Sequence, residues 1–190
     1  MHVWIDIDDE KYVPLLSALI SELKLKGHEV TITALNKKEI QKGIHDCDIN
    51  AKVVGKIFSF LGLFKDDSNM LRAALLLDYI KDKHIHIAFS FGSTPLLYSC
   101  ADKDLPIVLF LPDVEKRPHY IHFALGKCFF LTPDYVTDKK LEEMKIDPIK
   151  VRKYKVSNGI ENLSSDINVI KEIVEKIEYF DRVLRHKLIA

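Results

Sequence analysis

The stretch HIHIAFSFGSTPLLYSCADKDLPIVLFLPDVE, residues 84–115, decides the fold. It contains two short apolar runs, residues 85–91 and 107–111, which are typical of strands buried on both faces. Between them Thr94-Pro95 begins a helix, because the missing N–H of proline costs nothing at the first helical position. A strand, a helix and a second strand in this order predict two parallel strands joined by a right-handed crossover.

The same alternation continues on both sides of this stretch. Further strands are predicted at residues 3–7, 29–34, 52–54 and 128–131, with a possible last edge strand at 151–156. Helices are predicted at residues 11–26, ended by Gly27, from a cap at Asn36 to about 44, and at 70–79, 118–126 and 138–145. The pattern predicts an α/β fold with a Rossmann-like, doubly wound parallel sheet of order 3-2-1-4-5-6 and a possible seventh strand.

A long amphipathic helix is predicted at the end of the chain, beginning at Asp166. Its apolar stripe consists of Ile167, Ile170, Val174, Ile177, Val183 and Leu184. We therefore divide the chain into a Rossmann-like domain at residues 1–163 and a C-terminal helix at 164–190.

Composition restricts the classes of function. The chain has 190 residues, is 47% hydrophobic and carries 28 basic and 28 acidic residues, so it has no overall positive charge with which to bind nucleic acid. Its three cysteines, Cys47, Cys100 and Cys128, are widely spaced, which favours packed thiols over disulfides or a zinc site. With no signal peptide or membrane span expected, we predict a cytoplasmic protein.

The candidate site lies where the predicted strands end. In an open parallel sheet, ligands bind outside the carboxyl ends of the strands, near the point where the strand order reverses. That rule brings together residues 6–10, 92–94 and 113–115. The turn after the first strand, Asp8-Asp9-Glu10-Lys11, has no glycine and three carboxylates, which excludes a dinucleotide site, and the chain has no P-loop motif.

Two readings of the segment after the fourth strand remain open. Gly92, Ser93 and Thr94 lie at a helix N-terminus, where N–H groups and the helix dipole favour an anion. Serine and threonine at that position are also ordinary helix caps. The candidate ligand-binding residues at this edge are Asp8, Gly92, Ser93, Thr94 and Asp113.

Two further motifs contain carboxylates that are compatible with metal chemistry. Asp6-Ile7-Asp8 is similar to the D-x-D of haloacid-dehalogenase-like phosphatases, but the second acidic pair that would bind Mg²⁺ is not evident, which favours a solvated loop. Glu115, His119 and His122 share one predicted helical face, where metal binding and metal-free histidines are both compatible with the spacing. We expect neither a metal nor a cofactor.

A resemblance to a known family rests on the order of several segments. These are MHVWIDI, LISELKLKGHEVTITA, AKVVGK, HIAFSFGS, LPIVLFLPDVE, FFLTPD and VRKYKVSNGIENL, which together cover about residues 1–163. They resemble an archaeal and bacterial family whose members are similar to GT-B glycosyltransferases and UDP-N-acetylglucosamine 2-epimerase. The resemblance implies a Rossmann-like amino-terminal domain, a hinge and a second Rossmann-like domain that holds the nucleotide-sugar.

The chain departs from this family pattern at two motifs. Lys11-Tyr12-Val13 replaces Pro-His-Val, and Phe91-Gly92-Ser93 replaces His-Gly-Ser, or the His-Gly-Asp of the epimerase. Phe91 and Ser93 supply no ionisable base or acid. Glu115 matches the catalytic glutamate of the epimerase and is the candidate catalytic residue.

Two functions are compatible with these features. Because only one helix follows the hinge, the resemblance implies the acceptor-side half of a glycosyltransferase-like protein, completed by a partner chain that binds the nucleotide-sugar. The alternative is a non-catalytic, homo-oligomeric binding or scaffold protein with the same fold. The apolar run at residues 57–64, with Phe58, Phe60 and Phe64, would either contact a membrane weakly or begin the helix after the third strand.

Overall fold

The structure is a computed structural model that describes residues 1–55, 65–111, 127–156 and 160–187. Its strands are β1 (His2–Ile7), β2 (Glu29–Ala34), β3 (Lys52–Val53), β4 (Ile87–Ser90), β5 (Ile107–Phe110), β6 (Cys128–Pro133) and β7 (Val151–Tyr154). Its α-helices are α1 (Val13–Leu25), α2 (Lys38–Asp46), α3 (Lys65–Ile80), α4 (Thr94–Asp102), α5 (Asp138–Glu143) and α6 (Ile167–Lys187). Short 3-10 helices lie at Glu10–Tyr12, Pro148–Lys150 and Ile160–Ser165.

The strands form one seven-stranded sheet of order β3-β2-β1-β4-β5-β6-β7, and every described pair is parallel. The predicted α/β class, the strand order and the edge strand are confirmed. The order reverses between β1 and β4, where Val3 pairs with Ile87 and Ile5 with Phe89. This pair therefore marks the position at which a ligand site is expected.

Each face of the sheet has its own apolar core. One core joins the strands to α1, α2 and α6, and the other joins them to α3, α4 and α5. Because both faces are covered, β1, β4 and β5 have almost entirely apolar sequences. Asp6 is the one charged residue in these three strands.

Helix α6 packs in the same core as α1 and β1. The Asp166 carboxylate accepts hydrogen bonds from the backbone N–H groups of Asn168 and Val169, so Asp166 begins this helix as predicted. The predicted stripe needs one correction, because Ile167 is exposed while Ile173 and Phe180 are buried.

Other local predictions differ from the structure in detail. The Asn36 cap is wrong, because α2 begins beside Lys37 with no side-chain cap and the Asn36 amide oxygen accepts from the side chain of Gln41. Helix α3 begins five residues earlier than predicted, and β4 is shorter at both ends. Gly27 ends α1 with a positive φ of 78°, as predicted.

The three cysteines are free thiols, with Cys100 and Cys128 buried, as the sequence predicted. Within the described ranges, no helix combines the length and the apolar character needed to cross a bilayer.

Candidate functional site at the carboxyl edge of the sheet

The candidate site is built on the carboxyl edge, by which we mean the residues that follow β1 and β4, namely 8–10 and 91–94. The register of β1 and β4, continued past Ile5 and Phe89, places Asp8 level with Gly92. Helices α1 and α4 both begin next to this edge. Two of the three segments that the sequence predicted to share an edge therefore lie side by side, and the third, 113–115, lies outside the described residues.

A buried ion pair lies directly beneath the edge. The Arg72 guanidinium of α3 donates two hydrogen bonds to the Asp6 carboxylate, from Nη1 to Oδ2 at 2.8 Å and from Nη2 to Oδ1 at 2.7 Å. The side chains are only 3% and 0% exposed. Parallel double hydrogen bonding of this kind fixes the geometry of both groups.

The ion pair is satisfied by hydrogen bonds from several elements. The hydroxyl of Thr33 on β2 donates to Asp6 Oδ1 at 2.7 Å, and the hydroxyl of Ser93 donates to Asp6 Oδ2 at 2.7 Å. Arg72 Nε donates to the Val54 carbonyl at 3.0 Å. Asp6 therefore connects β1 to β2, α3 and the start of α4, and this network positions the edge.

Asp8 lies two residues beyond Asp6 and is partly buried at the edge. Burial raises the pKa of Asp8 to about 7, and the Asp6 carboxylate contributes to the rise while Arg72 opposes it. A carboxyl group with a pKa near 7 changes its charge close to neutral pH. Such a group is suited to general acid–base chemistry.

Two of the N–H groups predicted to bind an anion, those of Gly92 and Ser93, already have partners. Gly92 N–H and Ser93 N–H both donate to the buried hydroxyl of Ser90, at 3.0 and 2.7 Å. The Ser93 hydroxyl also accepts from Leu96 N–H, which makes Ser93 the cap of α4. Ligand binding by Gly92, Ser93 and Thr94 stays a prediction, and the structure shows the capping role that was its alternative.

A row of aromatic rings extends along the same edge on the face that α1 covers. Tyr12 stacks on Phe91 with 4.1 Å between ring centroids, Phe91 contacts Phe110 at 4.7 Å, and Phe110 stacks on Tyr154 at 4.8 Å. The Tyr154 hydroxyl is buried without a hydrogen-bond partner. The rings connect the ends of β4, β5 and β7. Phe91 therefore packs against other rings, at the position where the related His-Gly-Ser motif has an ionisable histidine.

Several predicted residues lie outside the described ranges. These are Asp113 and Glu115 of the candidate site, His119 and His122 of the metal hypothesis, the helix predicted at residues 118–126, and Phe58, Phe60 and Phe64 of the membrane hypothesis. Their predictions are neither confirmed nor contradicted.

Sequence reasoning missed Arg72 as the partner of Asp6. A usable signal was present, because a charged residue within a strand buried on both faces requires an opposite charge. Helix α3 carries Arg72 within the apolar segment 70–77, which identifies it as a candidate for that partner. Thr33 and Ser90 gave no such signal, since threonine and serine are common at strand ends.

Comparison with known proteins identifies the fold and a family. Residues 1–186 match the model of a family described as "Protein of unknown function (DUF354)". No curated protein matches the chain.

The solved structures that are similar to this chain include enzymes that act on nucleotide-sugars. The UDP-GlcNAc 2-epimerase from Methanocaldococcus jannaschii has a TM-score of 0.66 at 14% identity and covers 95% of this chain and 52% of its own. The UDP-GlcNAc 2-epimerase from Neisseria meningitidis bound to UDP-GlcNAc has a TM-score of 0.65 at 11% identity, covering 98% and 54%. The spinosyn rhamnosyltransferase SpnG has a TM-score of 0.52 at 16% identity, covering 70% and 45%.

At these identities the similarity shows the fold alone, a Rossmann-like domain of the kind found in GT-B proteins. The chain spans about half the length of each of these proteins.

Proposed function

Because the chain belongs to the DUF354 family and has the fold of GT-B proteins, we propose that it is the acceptor-side half of a glycosyltransferase-like protein. In GT-B proteins, which this chain resembles, a second Rossmann-like domain holds the nucleotide-sugar. Our proposal assigns that domain to a partner chain, and it assigns the acceptor to the carboxyl edge described above.

The raised pKa of Asp8 is the observation that carries this proposal. In glycosyl transfer, the oxygen of the acceptor hydroxyl bonds to the anomeric carbon as the bond from that carbon to the nucleotide breaks. A base accepts the proton that the acceptor hydroxyl loses. A carboxylate is a useful base near neutral pH when its pKa lies close to that pH. Asp8 has a pKa of about 7 and lies at the position where ligands bind parallel sheets.

The Asp6–Arg72 network serves as support for this base. Its bonds are closed within the protein, so neither Asp6 nor Arg72 is available to a ligand. The negative charge of Asp6 helps to raise the pKa of Asp8. Glu115 is proposed as a second catalytic carboxylate and Asp113 as a ligand-binding residue, on the resemblance stated above.

Binding of saccharides and nucleotides provides the first test. Saturation-transfer NMR on the wild-type chain should detect members of a panel of soluble oligosaccharides, while UDP and UDP-GlcNAc should bind weakly or not at all. Asp8→Asn should retain the fold and remove the dependence of saccharide binding on pH near 7, whereas Glu39→Gln, an exposed change on α2, should not. Tight UDP binding together with no saccharide signal would contradict the acceptor-side assignment.

The partner requirement needs its own experiment. Affinity capture of the chain at native expression, followed by quantitative mass spectrometry, should return one stoichiometric protein with a nucleotide-binding Rossmann-like domain. The isolated complex should then bind UDP when neither half does so tightly alone. A stoichiometric partner that leaves UDP binding unchanged would remove the partner requirement from the proposal.

One observation favours the alternative of a non-catalytic, homo-oligomeric protein. Met70, Leu71 and Leu75 of α3 are 62%, 53% and 45% exposed, which is unusual for three large apolar side chains on one helix. Under this alternative they form a contact between two copies of the chain. Light scattering should then give a dimer that Leu71→Glu converts to a monomer, and a wild-type monomer at high concentration would exclude this contact.

A further inference from the structure

The opposite edge of the sheet contains a cavity that the proposed function does not use. We call it the amino-edge cavity, because it is lined by residues that precede or begin β4, β5, β6 and β7, together with residues 179–185 of α6. Its volume is about 830 Å³, within the range of small-molecule sites in proteins.

The interior of the cavity is mainly apolar. Phe180 of α6 is buried at its base, and Ile85, Leu105, Phe129 and Leu184 are partly exposed along its walls. The rings of Phe129 and Phe180 stack with 4.6 Å between centroids. Such walls gain free energy when an apolar group replaces water against them.

The charged residues around the cavity are mostly basic. Five cations and two carboxylates line it. Both carboxylates already have partners, since Asp104 pairs with Lys127 and Asp181 pairs with Arg185. The pKa of His86 is lowered, chiefly by burial and then by Arg185, so this histidine is neutral at pH 7. The net formal charge of the lining is therefore positive.

Arg152 is the cation with the most defined position. Its Nη2 donates to the Tyr179 hydroxyl at 2.7 Å, its Nη1 donates to the carbonyls of Val151 and Ile149, and its guanidinium lies 4.5 Å from the centre of the Tyr179 ring. Across the described ranges, no carboxylate pairs with Arg152. A partly buried guanidinium that is held in place but not neutralised is a prepared site for an anion.

Lys103 is a second cation that could pair with an anion in this cavity. Lys103 caps the C-terminus of α4, is exposed, and has no ion pair within the part of the chain that the structure describes. It lines the same cavity as Arg152. An inorganic anion would satisfy these cations but leave the apolar walls exposed to water, and an uncharged hydrocarbon would leave the cations unpaired.

From this combination we propose that the amino-edge cavity binds an amphipathic anion, a single apolar chain with a phosphate or carboxylate head. The head pairs with Arg152 and Lys103, and the chain lies against Phe129, Phe180 and Leu184. This inference is independent of the proposed function, because it uses none of the residues of the carboxyl edge.

Octyl phosphate, below its micellar concentration, is a suitable probe for calorimetry with the full chain. We expect it to bind at least about tenfold more tightly than inorganic phosphate or octanol, because only octyl phosphate satisfies both the cations and the walls. Equal affinity for octyl phosphate and inorganic phosphate would reduce the site to a simple anion site and overturn the proposal, as would the absence of binding.

Matched variants locate the site. Lys103→Gln and Arg152→Gln should each weaken octyl phosphate about fivefold or more, while Lys42→Gln, an exposed cation on α2, should have no effect. Ile149 is 75% exposed at the cavity and Leu25 is 81% exposed away from it. Ile149→Asp should weaken binding and Leu25→Asp should not, and neither change disturbs a buried residue.

A final arm separates the monomeric ligand from a lipid surface. We expect vesicles of phosphatidylcholine with phosphatidic acid to bind no more tightly than vesicles of phosphatidylcholine alone, because the proposed ligand is a single amphipathic molecule and not a bilayer surface. If the anionic vesicles bind and monomeric octyl phosphate does not, the basic residues recognise a membrane surface and the cavity proposal is wrong.

Discussion

The two edges of this sheet carry charges of opposite sign, and these charges differ in their burial and in whether they have ionic partners. At the carboxyl edge, Asp6 is buried and fully paired, and Asp8 is partly buried with a pKa raised to about 7. At the amino edge, basic residues predominate, the two carboxylates are paired, and Arg152 and Lys103 are left without acidic partners in the described residues. The Asp6–Arg72 network beneath the carboxyl edge is closed within the protein, so Asp6 and Arg72 have no bond left for a ligand. At the amino edge, two cations have no acidic partner among the described residues.

Helix direction explains the sign of the charge at each edge. Helices α1 and α4 begin at the carboxyl edge and end at the amino edge, where Lys26 and Lys103 are their C-terminal caps. The helix dipole favours anions at N-termini and cations at C-termini, by about 0.3–1 kcal/mol for an exposed group. Helix direction therefore favours a cation such as Lys103 at the amino edge, whereas burial decides how much each charge affects stability.

Removing Arg72 should have the largest effect on stability, and it tests whether the Asp6–Arg72 network depends on its buried ion pair. Arg72→Met leaves the Asp6 carboxylate buried without its counter-ion, so we expect a loss of about 3–5 kcal/mol in the free energy of unfolding, measured with urea. The double variant Asp6→Asn with Arg72→Met should recover much of this loss, because no buried charge remains. A loss below about 1 kcal/mol for Arg72→Met would mean that the pair behaves like a surface pair.

The second prediction concerns Asp8 and the dependence of stability on pH. Its folded pKa is about 7, against an ordinary value of 3.8, so between these values the folded state binds more protons than the unfolded state. Stability should therefore fall as the pH rises from about 4 to about 7. Asp8→Asn removes this dependence and should stabilise the protein at pH 8 by about 2 kcal/mol, allowing for partial exposure to solvent.

Urea unfolding at pH 4 and pH 8 measures this effect. Asp8→Asn and the wild type should differ little at pH 4, where the Asp8 carboxyl group is protonated when folded. The control is Asp82→Asn, which changes an exposed carboxylate in the turn after α3 and should give no gain at pH 8. An unchanged pH dependence in Asp8→Asn would show that Asp8 is ionised in the folded protein well below pH 7.

The strand order could be predicted from the sequence, whereas the chemistry of the two edges could be predicted only in part. Apolar runs separated by helical patterns define a parallel sheet, and its handedness leaves few strand orders to consider, so the sequence correctly places β4, the first strand of the stretch 84–115, at the switch point beside β1. Asp8 was recognised as an edge residue because it directly follows β1. Its raised pKa depends on burial and on Asp6, and neither quantity can be read from local sequence.

Contacts between distant segments explain what was missed. Arg72 lies 66 positions from Asp6 along the chain, and the helix face it occupies becomes known only when α3 is docked. The amino-edge cavity depends on four separate strand beginnings and on α6. Ser93 was placed at the start of α4, but the same hydroxyl also reaches Asp6, and sequence alone gave no reason to choose between an anion site and this internal bond.

Two glycines with similar backbone angles test the rigidity of the Arg72 network, with a smaller expected effect. Gly55 lies near the carboxyl edge and Gly27 ends α1 at the amino edge, with positive φ angles of 73° and 78°. Alanine is strained in both backbones by a similar amount. At Gly55 a Cβ atom would also lie 2.9 Å from Arg72 Cγ, whereas at Gly27 it would meet nothing within 4 Å.

Gly55→Ala should therefore cost about 1 kcal/mol more than Gly27→Ala in urea unfolding, because Arg72 is held by Asp6 and by the Val54 carbonyl and cannot move away. The difference between the two variants measures the rigidity of the Arg72 network, since the backbone strain is common to both. Equal costs would indicate that the aliphatic part of the Arg72 side chain can move away from the new methyl group. The Asp6–Arg72 network would then not be rigid.

The smallest effect is expected at the ion pair of Lys127 and Asp104, beside the amino-edge cavity. Their side chains are 39% and 80% exposed, so water and salt screen the pair and its loss leaves neither group buried. Lys127→Gln should change the free energy of unfolding by less than about 0.5 kcal/mol, and added salt should reduce even this difference. Lys127→Gln and Arg72→Met each remove one cation from an acidic partner, so the difference between their costs reflects the burial of the Arg72 pair together with the additional bond of Arg72 to the Val54 carbonyl. If Lys127→Gln cost nearly as much as Arg72→Met, the exposed pair at the amino edge would contribute as much to stability as the buried pair at the carboxyl edge. The two edges would then differ only in the sign of their charge.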